Sequence, residues 1–277
     1  QASASFTVTV LDDQEPVLSG VPSNIAVSTD AGQCGATITW DEPVATDNCQ
    51  IVGFGSDIPN GSFYSVGTTI VTYSVSDPSG NESEASFSIS ITDDEDPEFV
   101  GLENLLVVDS DPGVCGATVS WDQPQVSDNC GVDTITPSHQ SGEIFALGDT
   151  AVDLLATDIH GNETAASFTI RVLDQELPQI FGVSDDIATS TEEGVCGAIV
   201  TWTEPIYADN CSASGLGSDI PSGSFFAVGT TLVTYSVVDS AGNENSSSFS
   251  VTVTDTEGPI FSGLQEIVLS SNSAGLC

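Results

Sequence analysis

The side chains with chemistry to offer in this sequence are carboxylates, and they recur at fixed places. The stretch Asp93-Asp-Glu-Asp-Pro97 returns as Asp12-Asp-Gln-Glu-Pro16, Asp174-Gln-Glu-Leu-Pro178 and Asp255-Thr-Glu-Gly-Pro259, always Asp-x-(Glu/Gln)-x-Pro. A second motif, Asp-x-x-Gly-Asn-Glu, occupies 77–82, 158–163 and 239–244. A third, Asp-Asn-Cys, starts at Asp47, Asp128 and Asp209. Carboxylate and amide oxygens gathered in loops suit a hard cation, and calcium takes about 6–8 such ligands. Magnesium prefers smaller, water-rich shells. Transition metals lack their usual ligands, since the only histidines, His139 and His160, fall in one repeat and read as solvated loop residues.

The period of these motifs is 81 residues, and Trp40, Trp121 and Trp202 fall on it with them. That length is large for a solenoid repeat and right for a small autonomous domain. The predicted organisation is a last strand and linker at 1–15, modules at 16–96, 97–177 and 178–258, and the start of a further module at 259–277. Gln1 aligns with Glu82, inside a hairpin, so the sequence reads as a window on a longer array. One basic residue, Arg171, faces 41 acidic ones, for a net charge of −40. Such a field repels nucleic acid and anionic membrane and draws cations. It also serves solubility and tolerance of salt. No run of 18 apolar residues is present, so no membrane span is expected.

Strand signals dominate the modules that must position the carboxylates. Phe87, Ile89 and Ile91 alternate with small polar residues, as do Phe6/Val8/Val10, Phe168/Ile170/Val172 and Phe249/Val251/Val253. Period two marks half-buried strands. Val71, Tyr73 and Val75 share a face of the preceding strand, and 77–81 supplies a tight turn. Ala36, Ile38 and Trp40 alternate until Pro43. The fold class is all-β, a tandem of immunoglobulin-like antiparallel β-sandwiches with the tryptophans as core anchors.

In a sandwich the turn between the last two strands lies at the end where the chain enters. Each acidic turn should therefore approach the linker preceding its own module. The predicted calcium sets are Asp12, Gln14, Asp77, Asn81 and Glu82; Asp93, Glu95, Asp158, Asn162 and Glu163; and Asp174, Glu176, Asp239, Asn243 and Glu244. A self-capped turn alone accounts for the Asp and Asn, but not for linker acids on the same period. Asp47 with Asn48, Asp128 with Asn129 and Asp209 with Asn210 are weaker candidates, because simple tracing puts them at the opposite end.

About 80 residues make a thin core, so each module needs a staple. Cysteines come 15 apart, as Cys34/Cys49, Cys115/Cys130 and Cys196/Cys211, with Cys277 left over. Pairing within each module closes a short loop and is the economical choice, with the partner of Cys277 beyond the chain. Counting also admits pairing across modules, such as Cys49 with Cys115. Either way a regular pair implies an oxidising, extracytoplasmic setting. No CxxC supports zinc.

Cys34-Gly-Ala-Thr-Ile-Thr-Trp40, Pro43, Asp47-Asn-Cys49, Gly61-Ser-Phe63, Val66-Gly-Thr-Thr69, Tyr73 and Asp77-x-x-Gly-Asn81 together resemble the hyalin repeat (HYR) family. The resemblance covers all three modules. It implies immunoglobulin-like modules used in tandem in extracellular adhesion and matrix proteins, and in long surface proteins of marine and gliding bacteria. Many family members carry a second cysteine pair, at places that here look like Val21 and Ala85. Module two departs from the pattern, with Leu154 for Tyr73 and a changed loop at 137–143.

The function expected is that of a structural or adhesive segment of an extracellular, secreted cell-surface protein or filament, stiffened by calcium at its joints. Its partners would be neighbouring modules, like chains, or a surface glycan or protein. The alternative is a multivalent adhesin binding glycan or protein through its own loops, such as Gly53–Ser62 and Gly215–Ser224. Identical sites every 81 residues and the lack of any nucleophile–base pair argue against an enzyme.

Overall fold

The computed structural model describes residues 1–263 and contains no helix among them. Module one has eight strands: β1 (Val17–Ser19), β2 (Ile25–Ser28), β3 (Gly35–Thr37), β4 (Val44–Thr46), β5 (Gly53–Ser56), β6 (Phe63–Ser65), β7 (Gly67–Ser76) and β8 (Glu82–Thr92). A four-stranded sheet runs β2-β8-β7-β5, and β3 pairs with β6 and β1 with β4. Modules two and three repeat the four-stranded order, through Leu105–Asp109, Glu163–Leu173, Gly148–Asp158 and Val132–Pro137, and through Ile187–Ser190, Glu244–Thr254, Gly229–Asp239 and Ala213–Ser218. The sheets are antiparallel except at one edge. There β2 runs parallel to β8, with Ile25 opposite Ile89, and Ile187 faces Val251 in the same way in module three.

The long hairpin β7–β8 carries the core. Its register pairs Val71 with Phe87 and Ser76 with Glu82, leaving residues 77–81 as the turn. Val71, Tyr73, Val75, Phe87, Ile89 and Ile91 are all buried, as period-two patterning requires. Trp40 packs edge-on to Phe87 at 5.2 Å, Trp121 to Phe168 at 5.5 Å and Trp202 to Phe249 at 5.1 Å. The hairpin turn needs a residue at positive φ, and Gly80, Gly161 and Gly242 supply it at 90°, 95° and 94°.

Two expectations are corrected. Residues 1–16 form no strand, and Phe6, Val8 and Val10 stand 88%, 71% and 89% exposed. The equivalent segments Glu82–Thr92 and Glu244–Thr254 are instead paired with the hairpin strand before them. The cysteines also pair across modules rather than within them: Cys34 with Cys130, and Cys115 with Cys211, each 96 residues apart with Cα atoms 4.5 and 4.6 Å apart.

The reason lies at the two ends of each sandwich. Cys34 follows a turn whose Gly32 N–H donates to Glu95 of the next linker, whereas Asn48 beside Cys49 donates to Asp12 of the preceding linker. The two cysteines of one module therefore sit at opposite ends, out of reach of each other. Cys49 and Cys196 are unpaired and exposed. Cys277 lies outside the described residues.

Two compact units divide the chain. One comprises Gln1–Leu106, Val119–Glu143 and Asp149–Arg171, the other Val107–Thr118, Ile144–Gly148 and the chain from Val172. The bond Cys34–Cys130 belongs to the first and Cys115–Cys211 to the second.

Candidate metal centres at the module joints

Three acidic segments converge at each joint. Carboxylate oxygens of Asp12, Asp47 and Asp77 lie within 4.8 Å of one another, as do those of Asp93, Asp128 and Asp158, and of Asp174, Asp209 and Asp239. The first of each set comes from the linker, the second from the Asp-Asn-Cys loop and the third from the hairpin turn. The linker and turn were expected to meet. The loop joins them because its asparagine reaches the linker: Asn48 donates to Asp12, Asn129 to Asp93 and Asn210 to Asp174.

Amide side chains knit the segments. Asn162 Nδ2 donates to Asp158 Oδ2 at 2.7 Å and to the Asp93 carbonyl at 3.3 Å, and Asn81 and Asn243 repeat both contacts. Asn129 Nδ2 reaches Asp93 Oδ1 at 3.0 Å and the Gln33 carbonyl at 3.2 Å, so the loop of module two grips both the linker and module one. Asn210 does the same with Asp174 Oδ1 and the Val114 carbonyl. The backbone N–H groups of Cys49, Cys130 and Cys211 satisfy one oxygen each of Asp47, Asp128 and Asp209.

Other predicted ligands go elsewhere. Glu95 accepts from Gly32 N–H at 3.0 Å and Glu176 from Gly113 N–H at 2.7 Å, capping turns of the module before. Glu82, Glu163 and Glu244 open the last strands and are exposed. Gln14 donates its backbone N–H to Asp12 Oδ1. His160, expected in solvent, sets Nδ1 3.0 Å from Asp93 Oδ2, while exposed His139 pairs with Glu143.

The donor set fits a hard cation. Asp77, Asp158, Asp174 and Asp239 are between 2% and 7% exposed. Burial pushes the Asp158 carboxyl upward, but hydrogen bonds from Asn162 and the turn's N–H groups outweigh it and hold the pKa below the ordinary value. Asp77 and Asp239 follow the same balance. For Asp93, burial is likewise outweighed by Asn129, the Glu95 N–H and His160. Asp77, Asp93, Asp158 and Asp239 are therefore ionised at neutral pH, and Asp93 and Asp158 hold like charges in close contact.

Several buried oxygens lack any protein donor: Asp174 Oδ2, Asp209 Oδ1 and Asn210 Oδ1 at one joint, Asp128 Oδ2 and Asn129 Oδ1 at another, and Asp12 Oδ2 at the third. A buried acceptor without a partner is costly, and these cluster where a cation would satisfy them.

The architecture is thus a tandem of immunoglobulin-like sandwiches, each joint closed by a disulfide or an acidic cluster or both. The HYR domain family matches residues 11–91, 92–172 and 173–253, and the chain belongs to that family. It is 33% identical over 261 residues to hyalin of Strongylocentrotus purpuratus, covering 91% of this chain and 22% of that protein. It is 32% identical over 272 residues to hyalin of Lytechinus variegatus, covering 95% and 51%. The chain thus spans about half or less of these relatives.

A rat protein described as sushi, von Willebrand factor type A, EGF and pentraxin domain-containing protein 1 is 31% identical over 175 residues, which is 61% of this chain and 5% of that one. Among solved structures, protocadherin gamma B2 cadherin domains 1–5 align at a TM-score of 0.34 and 14% identity, over 90% of this chain and 61% of that one. The HYR family is one of extracellular adhesion-type repeats, and the disulfides accord with an extracellular location. No helix among the described residues is long and apolar enough to cross a membrane.

Proposed function

We propose that this chain is a structural and adhesive repeat segment of a long extracellular protein, and that calcium at each joint stiffens it. The observation that carries the reading is the joint at Asp174. Carboxylates from linker, loop and turn approach within 4.8 Å, and Asp174 Oδ2, Asp209 Oδ1 and Asn210 Oδ1 are buried without a donor. All donors are oxygen, as calcium prefers. Bound there, the ion would supply positive charge to three segments that otherwise repel. Asp209 and Asp239 would then be tied to the linker as well as to their own module. The swivel left by a single linker would be lost, and the cysteine bond beside it would limit how far the loop withdraws.

The reading gives the chain no catalytic role. Its partners are its own neighbouring modules and, at the level of the whole protein, like chains or surface ligands. Chelation tests it. Removing calcium from the intact chain should lower the melting temperature and broaden the distribution of sizes in small-angle scattering. Identical melting and scattering with and without chelator would exclude calcium stiffening.

A further inference from the structure

Module two lacks a polar plug that its neighbours share. In module one, Trp40 Nε1 donates to Tyr73 Oη at 2.8 Å, and that hydroxyl donates to Glu42 Oε2 at 2.5 Å. Module three repeats this through Trp202, Tyr235 and Glu204 at 2.6 Å in both steps. At the same positions module two has Trp121, Leu154 and Gln123. Leu154 is buried like the tyrosines but ends short of where their hydroxyls reach.

Ile58 and Ile220 pack against the cores of their modules, and at their position module two has His139, hydrogen-bonded to Glu143. Pro43 and Pro205 are buried, while Pro124 is only half-buried.

The space so released is a cavity of about 280 Å³ lined by Trp121, Gln123, Pro124, Pro137, Gln140 and Leu154, among others. A larger hollow of about 440 Å³ shares Trp121, Gln123 and Pro124, extends past Leu102, Leu106 and Phe168, and carries two carboxylates, Glu103 and Asp122. We propose that this paired hollow in module two is a binding site for a neutral sugar, one ring beside the indole of Trp121 and a second in the adjoining space.

The lining sets the ligand class. Apolar faces with a few polar groups are the usual make-up of a small-molecule site. The smaller hollow has no ionisable residue in its wall; its polar side chains are the amides of Gln123 and Gln140 and the hydroxyl of Ser141, the last already bonded to the backbone of Trp121. An amide offers donor and acceptor together, which matches neighbouring sugar hydroxyls. Indole and proline surfaces suit the C–H faces of a pyranose. A net charge of −40 disfavours sulfated or sialylated ligands.

The test is saturation-transfer NMR on the intact chain with a panel of neutral methyl glycosides and their disaccharides at millimolar concentration. Wild-type protein should transfer saturation to at least one of them, and L154Y/Q123E, which rebuilds the plug found in modules one and three, should weaken binding at least tenfold. The reverse change in module one, Y73L/E42Q, should add binding. Transfer to no member of the panel, or equal transfer in wild type and L154Y/Q123E, would overturn the proposal. Capture of a decaproline peptide in preference to every glycoside would overturn the ligand class.

Discussion

Cys34 and Cys130 are bonded although 96 residues separate them, so the covalent staple of this protein lies between modules rather than inside one. The same loop presents Asp128 to the acidic cluster two residues before the sulfur. A cation bound there, as proposed, would therefore act on the same loop as the disulfide. A ligand that favours the closed arrangement and a bond that enforces it must support each other.

Disulfide mapping follows directly. Digestion without reductant should release Cys34 linked to Cys130 and Cys115 linked to Cys211, with no Cys34–Cys49 peptide. The double variant C34S/C130S should lose roughly 2–5 kcal/mol of stability. It should also bind calcium more weakly at that joint, seen as a shift in a calcium titration.

Asp209→Asn should act in opposite directions with and without calcium. The amide oxygen can still accept from Cys211 N–H, while one of three crowded negative charges is removed. In chelator the variant should melt at or above the wild-type temperature. In calcium it should melt below, because the ion loses a charged ligand. A drop of equal size in both conditions would mean that Asp209 serves the loop alone.

Asp186 gives a pH test away from the clusters. Its Oδ1 accepts the Ser250 N–H at 2.7 Å, and the carboxyl pKa is lowered chiefly by that bond. Asn24 makes the equivalent contact with Ser88 in module one, so D186N should fold unchanged. A lowered folded pKa contributes stability above the unfolded value, near 3.9, and loses it as pH falls. The wild-type advantage over D186N in urea melts should be constant from pH 7 to about 5, shrink as pH falls past the unfolded value, and disappear only once pH drops through the lower folded pKa.

Tyr73→Phe removes a hydroxyl that accepts from Trp40 and donates to Glu42. The loss should be about 1–3 kcal/mol in module one, measured by denaturant unfolding. Leu154→Phe in module two removes no hydroxyl, so that variant should not show this loss.

The sheets were legible in the sequence because period two is a local signal. Val71, Tyr73, Phe87 and Ile89 announce their burial without any knowledge of their partners. The meeting of linker and turn was legible too, from the general layout of a sandwich. The place of Asp47, Asp128 and Asp209 was not, because it depends on contacts across the joint, with Asn48 and Asn129 reaching the linker at Asp12 and Asp93. A loop of 15 residues looks cheaper to close than one of 96, but the rigid module between Cys34 and Cys49 holds them at opposite ends. Motif spacing carried a usable hint: Asp-Asn stands directly before the cysteine in every copy. The role of Glu95 was hidden for a similar reason, since its partner Gly32 belongs to the preceding module.

The most direct test of calcium at the joints is an anomalous difference map from crystals grown with the ion. The account predicts a peak at the Asp174 joint about 2.3–2.6 Å from oxygens of Asp174, Asp209 and Asp239, with Asn210 close by. A map featureless there, with the three carboxylates turned to water, would contradict it.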